Sequence, residues 1–222
     1  MKAVVGLTLV DLVLVLTPGP NMIYLVSRSL SQGRRAGLVS LLGTLTGFVI
    51  YMTLANLGLS GVFATTPVAY DAVRIAGTLY LFYLAWQALR PGGMAVFETT
   101  AETTAQTTAE AITEATAETP RDSGVKLYRM GLVTNLLNPK AAILYLALIP
   151  QFIDLARGDV TGQGFLLGGI QICESGTVNA SIVLAAAGIA AFLNARPSWL
   201  RWQRRATGIL LAVVGLTIAL GA

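Results

Sequence analysis

The chain has 222 residues, of which 55% are apolar and only 12% charged, with a mean hydropathy of +0.69. A soluble domain carries about 25% charged residues, so this composition excludes a water-soluble globule and points to a membrane protein. The formal charge of +4 does not mark a nucleic-acid binder, because the basic residues flank apolar runs instead of forming one face. The lone Cys173 rules out an internal disulfide, and the absence of His excludes histidine-ligated zinc, histidine triads and histidine proton relays.

Six apolar runs are long enough to cross about 30 Å of hydrocarbon, which takes about 20 helical residues. They cover residues 4–27, 38–60, 68–89, 130–152, 164–193 and 206–222. The first begins after Lys2 as a leader would, but no small-x-small cleavage site follows it, so it is expected to be a retained span. Basic residues set the orientation. Arg28, Arg34 and Arg35 fall in the first loop; Arg90, Arg121, Lys126 and Arg129 in the third; Arg196, Arg201, Arg204 and Arg205 in the fifth. The opposite side holds Lys2 and Arg157, with Arg74 just inside the third span. Both termini are therefore expected outside, with loops one, three and five in the cytoplasm. Trp86, Tyr128, Trp199 and Trp202 lie near the predicted cytoplasmic ends, as interfacial aromatics do.

A long loop follows the third span. Three is an odd number, so a second set of three enters the membrane inverted, an arrangement common in secondary transporters. The expected fold is an all-α membrane protein of two inverted three-helix repeats: residues 1–90, a disordered Thr/Ala/Glu loop at 91–124, and residues 125–222. The loop holds six of the eleven acids, and from Glu98 on it is a Thr/Ala/Glu run without aromatics, which cannot bury a core.

The first and fourth spans correspond in such a repeat, and both are broken near mid-membrane. The first contains Thr17-Pro18-Gly19-Pro20-Asn21 and the fourth Asn135-Leu-Leu-Asn138-Pro139-Lys140. Proline lacks an N–H and clashes with the preceding turn. Pro18, Pro20 and Pro139 should thus free the carbonyls of Leu14, Leu16 and Asn135. Free backbone groups at membrane depth are tolerated where they line a cavity, so a substrate site is expected between the breaks. The half-helices that restart there present the positive ends of their dipoles. Lys140 is too deep to reach either interface easily, and it is expected to meet a substrate carboxylate. Glu174 and Asp11 are the intramembrane acids, candidates for a counter-charge or a coupling proton. Glu174 ranks first because it has polar company in Ser175, Thr177 and Asn179. Gly43-Thr-Leu-Thr-Gly47 and Gly164-Phe-Leu-Leu-Gly168 have the spacing of close helix contacts within the chain.

The stretches 17–21 and 27–37, together with 135–140, Pro150-Gln-Phe152 and Arg204-Arg-Ala-Thr-Gly208, resemble the LysE/RhtB family of amino-acid exporters over nearly the whole chain outside the loop. The resemblance implies efflux of amino acids such as lysine, homoserine, threonine or leucine, driven by an ion gradient. The pattern departs at Asn21, where many relatives carry an acid, and at 47–51, where Tyr51 is the ionisable residue.

Substrate binding is accordingly assigned to Thr17, Pro18, Gly19, Pro20, Asn21, Asn135, Asn138, Pro139 and Lys140. The activity expected is proton-coupled export by alternating access in a bacterial inner membrane, with no metal or cofactor, and with homo-oligomerisation left open. No HExxH, GxSxG or P-loop is present, so an enzyme or an ATP-driven pump is not expected. An exporter of a metal or other ion on the same fold, and a passive channel, stand as alternatives.

Overall fold

The computed structural model describes residues 2–17, 19–65, 67–90, 121–188 and 197–219. Among these the chain is helical, without strands. Residues 91–120 of the expected loop, and Pro18, lie outside the described residues, as do the ends of the runs at 189–193 and 220–222.

The first span is two helices, α1 (Lys2–Leu16) and α2 (Pro20–Gln32), whose axes bend by 51° at the break. Gly33, at φ +90, turns the chain into α3 (Arg34–Thr65), and Pro67 opens α4 (Pro67–Leu89). The fourth span is again divided. α5 (Gly124–Leu136) and α6 (Pro139–Ile143) meet at a bend of 57°. α6 continues through a π turn at Leu144–Leu148 and a 3-10 turn at Ile149–Phe152. α7 (Val160–Leu184) and α8 (Pro197–Ala219) complete the order.

Both interruptions expected from the prolines are present. The helix starts differ most from the hydropathy limits at α5, which begins at Gly124 instead of 130, and at α8, which begins at Pro197 instead of 206. Charged residues end an apolar run but not a helix. Ser123 caps α5 by accepting the Lys126 amide, and proline at the first turn is preorganised for α8. Among the described residues, Arg34–Gly58 alone is long and apolar enough to cross a membrane unbroken, and each bent pair qualifies as a broken span.

α3 is the central element. It packs on α5 along one side and on α7 along another, with α2 also against it, while α4 pairs with α8. Glycines explain how close the two α3 contacts are. A methyl group at Gly43 would strike the carbonyl of Tyr128, and one at Gly131 the carbonyl of Ser40, so α3 and α5 touch backbone to backbone. On the α7 side, Gly164 faces Asn56 and Gly168 faces Met52. The two small-xxx-small motifs thus serve intrachain packing, as read from the sequence. The core between the layers joins Leu7, Val10 and Leu14 of α1 to Phe48 of α3, Leu81 of α4, and Leu144 and Leu148 beyond α6. Outward-facing positions are apolar as well: Leu42, Leu54, Leu57, Leu79 and Trp202 are all more than half exposed, as lipid-facing residues are.

Candidate substrate cavity

Each break is built by local hydrogen bonding around its prolines. Thr17 terminates α1: its amide donates to the Val13 and Leu14 carbonyls at 3.1 and 3.0 Å, and its hydroxyl to Val13 at 2.8 Å. The same hydroxyl lies 2.9 Å from that of Thr207 on α8, which ties the last helix to the first break. Gly19 is extended (φ −156, ψ 177) and serves as N-cap of α2, but it has no side chain to cap the first amides. At the second break Asn138 does what Gly19 cannot. Its Oδ1 accepts the Lys140 amide at 3.0 Å, and its carbonyl accepts Ala141 and Ala142 at 3.1 and 3.2 Å. Its own amide donates to the Asn135 carbonyl at 3.0 Å, so that carbonyl, expected to be freed by Pro139, has a partner.

The Leu14 carbonyl, also expected to be open, is taken by Lys140. From the second break the lysine Nζ reaches across to donate to the carbonyls of Leu14 and Thr17, the latter at 2.8 Å. These are the last carbonyls of α1, the negative end of its dipole, where a cation is stabilised. A lysine that opposes its own helix's dipole thus completes a neighbouring one. Tyr51 acts similarly on the other side, donating to the Leu136 carbonyl at 2.8 Å.

Around this bridge lies a small cavity of about 40 Å³, room for a few water molecules, so a larger occupant enters only as the walls part. Asp11, Gly19, Asn21, Asn138 and Lys140 line it from the two broken spans. Gln171, Ser175 and Asn179 line it from α7, and Leu14, Val15, Met22, Phe48, Ala141 and Leu144 form the apolar wall. The α7 residues recur every four positions and therefore share a face. Gln171 Nε2 donates to Ser175 Oγ at 2.7 Å, and Asn179 Nδ2 to the Ser175 carbonyl at 2.8 Å. Tyr145 donates to Gln171 Oε1 and stacks on Tyr51 with ring centroids 6.0 Å apart.

Of the residues expected to bind substrate, the structure brings Gly19, Asn21, Asn138 and Lys140 to the cavity wall, with Thr17 bonded to Lys140 behind them. Pro20 and Pro139 open the half-helices α2 and α6. Asn135 is elsewhere: it is buried between α5 and α3 against Gly47, and no hydrogen bond reaches its side chain. The two acids lie in different places. Asp11 is fully buried, lines the cavity and lies in the field of Lys140 and Glu174. Glu174 lines instead an open, mainly apolar groove between α1 and α7, with Thr8, Leu12, Phe165 and Cys173, where its two carboxylate oxygens are shielded from solvent and have no hydrogen-bond partner. Gln171 was not singled out from the sequence, although its four-residue spacing to Ser175 and Asn179 marks a polar stripe that leaves out Glu174. Among the described residues, no group of three His, Cys, Asp or Glu side chains is placed to hold a metal ion.

Asn138→Ala should remove the cap of α6 and cost about 1 kcal/mol. The expected result is a lower melting temperature of the purified protein in detergent, with Asn138→Ser retaining most of the stability; equal melting of wild type and Asn138→Ala would show that the cap contributes nothing.

Away from the cavity, Asp122 ties α2 to the start of α5. Lys126 Nζ lies 2.5 Å from one of its oxygens, and Arg28 Nη1 and Gln32 Nε2 donate to the other at 3.4 and 2.7 Å. The Asp122 amide donates back to Gln32 Oε1 at 2.9 Å. The hydrogen bonds from Lys126 and Gln32 hold the Asp122 carboxyl below the usual aspartate range. It is therefore ionised, and the tie intact, at neutral pH.

A family model described as LysE type translocator matches residues 12–221. The homoserine/homoserine lactone efflux protein of Salmonella typhimurium is 28% identical over 211 residues, covering 95% of this chain and 93% of that protein. The leucine efflux protein of Salmonella choleraesuis is 29% identical over 158 residues, covering 69% of this chain and 64% of that protein. No solved structure matches. The match takes in both breaks, the lysine that bridges them and the Thr207 contact behind it, and the chain is an integral membrane protein that belongs to the LysE type translocator family.

Proposed function

We infer that the chain exports small neutral amino acids from the cytoplasm across the bacterial inner membrane, binding them in the cavity between the two breaks. The observation that carries this reading is the meeting of both broken spans at one small, part-polar cavity bridged by Lys140. The named activities of the relatives agree with it: efflux of homoserine and its lactone, and of leucine. The apolar wall of Leu14, Val15, Phe48 and Leu144 suits an aliphatic side chain. Lys140 supplies the cavity's positive charge, and the uncapped start of α2 adds amide donors for a carboxylate or carbonyl.

Alternating access between two inverted three-helix halves accounts for the packing. α4 pairs with α8 and α3 with α7, while α1 packs on α7 as α5 packs on α3. These relations map onto themselves or onto one another when the halves are exchanged, whereas the α2–α3 contact has no equivalent between α6 and α7. In this reading the halves are residues 1–90 and 125–222, joined by the 91–124 loop in the cytoplasm, with both termini outside. Rocking of one half against the other carries the cavity from one face to the other. A proton is the coupling ion proposed, moving in as substrate moves out.

The test is efflux from cells preloaded with leucine- or homoserine-containing dipeptides, with and without the chain. Faster loss of the free amino acid, abolished when the proton gradient is collapsed, is expected. If loss is no faster than in the empty-vector cells while the protein is present in the membrane, the export reading fails.

A further inference from the structure

The cavity's polar atoms are unevenly satisfied, and the imbalance identifies which end of the substrate it holds. Three oxygens there have no hydrogen-bond partner: Asp11 Oδ1, Asp11 Oδ2 and Asn21 Oδ1. All three are acceptors and all are shielded from solvent. Gln171 lies close enough to act on the Asp11 carboxylate, but its well-formed hydrogen bonds go elsewhere, from its nitrogen to Ser175 and to its oxygen from Tyr145. Lys140, the nearby cation, donates to the α1 carbonyls of Leu14 and Thr17 and makes no hydrogen bond to Asp11.

A buried carboxylate without a direct partner is destabilising. It persists where its partner arrives with the ligand, because binding sites keep groups that are unsatisfied when empty. The missing partner must be cationic and rich in donors. A primary ammonium has three N–H donors and no acceptor, which equals the number of open oxygens. We propose that Asp11 and Asn21 form the ammonium seat of the cavity and that the substrate's carboxylate is dispensable for binding. The ligand class is then a primary amine carrying a short aliphatic body: free amino acids, and equally their amides, esters and lactones. This rests on the amino-acid reading of the cavity and names the end of the substrate that the cavity selects.

The arrangement also separates Asp11 from a structural acid. A carboxylate held by a protein partner stabilises the empty protein, and removing it loosens the fold. An acid awaiting a ligand does the reverse: its neutral isostere leaves the empty protein as stable or more stable, and binding is lost.

The experiment uses purified full-length protein in detergent, with affinity measured by calorimetry for leucine, leucinamide and N-acetyl-leucine. Wild type is expected to bind leucinamide within about threefold of leucine and N-acetyl-leucine at least tenfold more weakly, the tenfold corresponding to about 1.4 kcal/mol. Asp11→Asn is expected to lose at least tenfold in affinity for both amines while melting at or above the wild-type temperature. Leucinamide binding at least tenfold weaker than leucine overturns the proposal, as does undiminished binding by Asp11→Asn or a lowered melting temperature of its empty form. The analogue series on wild type decides the matter even if the variant does not fold. Should wild type bind none of the three, the amino-acid reading of the cavity falls first; should it bind N-acetyl-leucine as well as leucine, that reading stands and the ammonium seat alone is lost.

Discussion

Lys140→Met should reduce efflux to the empty-vector level. The substitution keeps the length and apolar character of the stem and removes only the charge and its donors. Two carbonyls at the end of α1, those of Leu14 and Thr17, then lose the donor that reaches them from the other half of the chain. Asp11 at the same time loses the cation whose field it lies in. Leaving buried acceptors without a donor costs about 1–3 kcal/mol, so stability should fall together with transport. The double variant Asp11→Asn with Lys140→Met should recover part of that stability, because it removes the unpaired acid as well, and it should not recover transport. A thermodynamic cycle over the four proteins measures the coupling directly. Wild-type efflux from Lys140→Met would remove the bridge from the mechanism.

The second large effect is structural. Gly131→Leu, or Gly43→Leu, should prevent the folded protein from accumulating. At both positions the atom that an added side chain would strike is a backbone carbonyl of the facing helix, Ser40 or Tyr128. A side chain can turn aside, but a helix backbone cannot, so α3 and α5 must move apart. Overpacking of a core typically costs about 1–3 kcal/mol, and here the separation also strips the Tyr24 hydroxyl from Ser40 and the Leu127 carbonyl, which it meets at 3.0 and 3.2 Å. Gly169→Leu is the matched control, since nothing lies within 4 Å of its added carbon. Size-exclusion profiles of fluorescently tagged variants in detergent would separate the cases. A monodisperse Gly131→Leu peak of wild-type height would mean that the crossing is looser than described.

The breaks were legible in the sequence because proline and asparagine at membrane depth admit few physical explanations. Thr17 to Asn21 and Asn135 to Lys140 appear as two bent helix pairs, and the GxxxG spacings as the two tight sides of α3. The facing of the acids was not legible. α1 is apolar all round, so no polar stripe in its sequence says that Asp11 points inward. On α7 polar residues occupy more than one face, and a count of polar neighbours favoured Glu174. The four-residue register of Gln171, Ser175 and Asn179 is the signal that separates the cavity face from the groove face, and Ser175 and Glu174 differ by about 100° around the helix. Nor could spacing show that Lys140 would hold the carbonyls of another helix, since that depends on how the two breaks lie against each other in space. Asn135 was misleading for a related reason: it belongs to the broken-span motif by sequence but packs against Gly47 by geometry.

The knot at Asp122 has a consequence for how freely this protein can vary. Because Gln32, Arg28 and Lys126 hold Asp122 directly, the second half is registered against α2 at that residue, wherever the chain before it has travelled. A connection whose composition cannot bury a core would then contribute only closure entropy, for which doubling the length costs about 0.6 kcal/mol. Insertions and deletions there should be nearly silent, and chains cut within it and expressed as two pieces should still find each other through the α3 and α5 surfaces. Changes at residue 122 carry no such tolerance, so drift in this protein's length is channelled into the stretch that ends just before it.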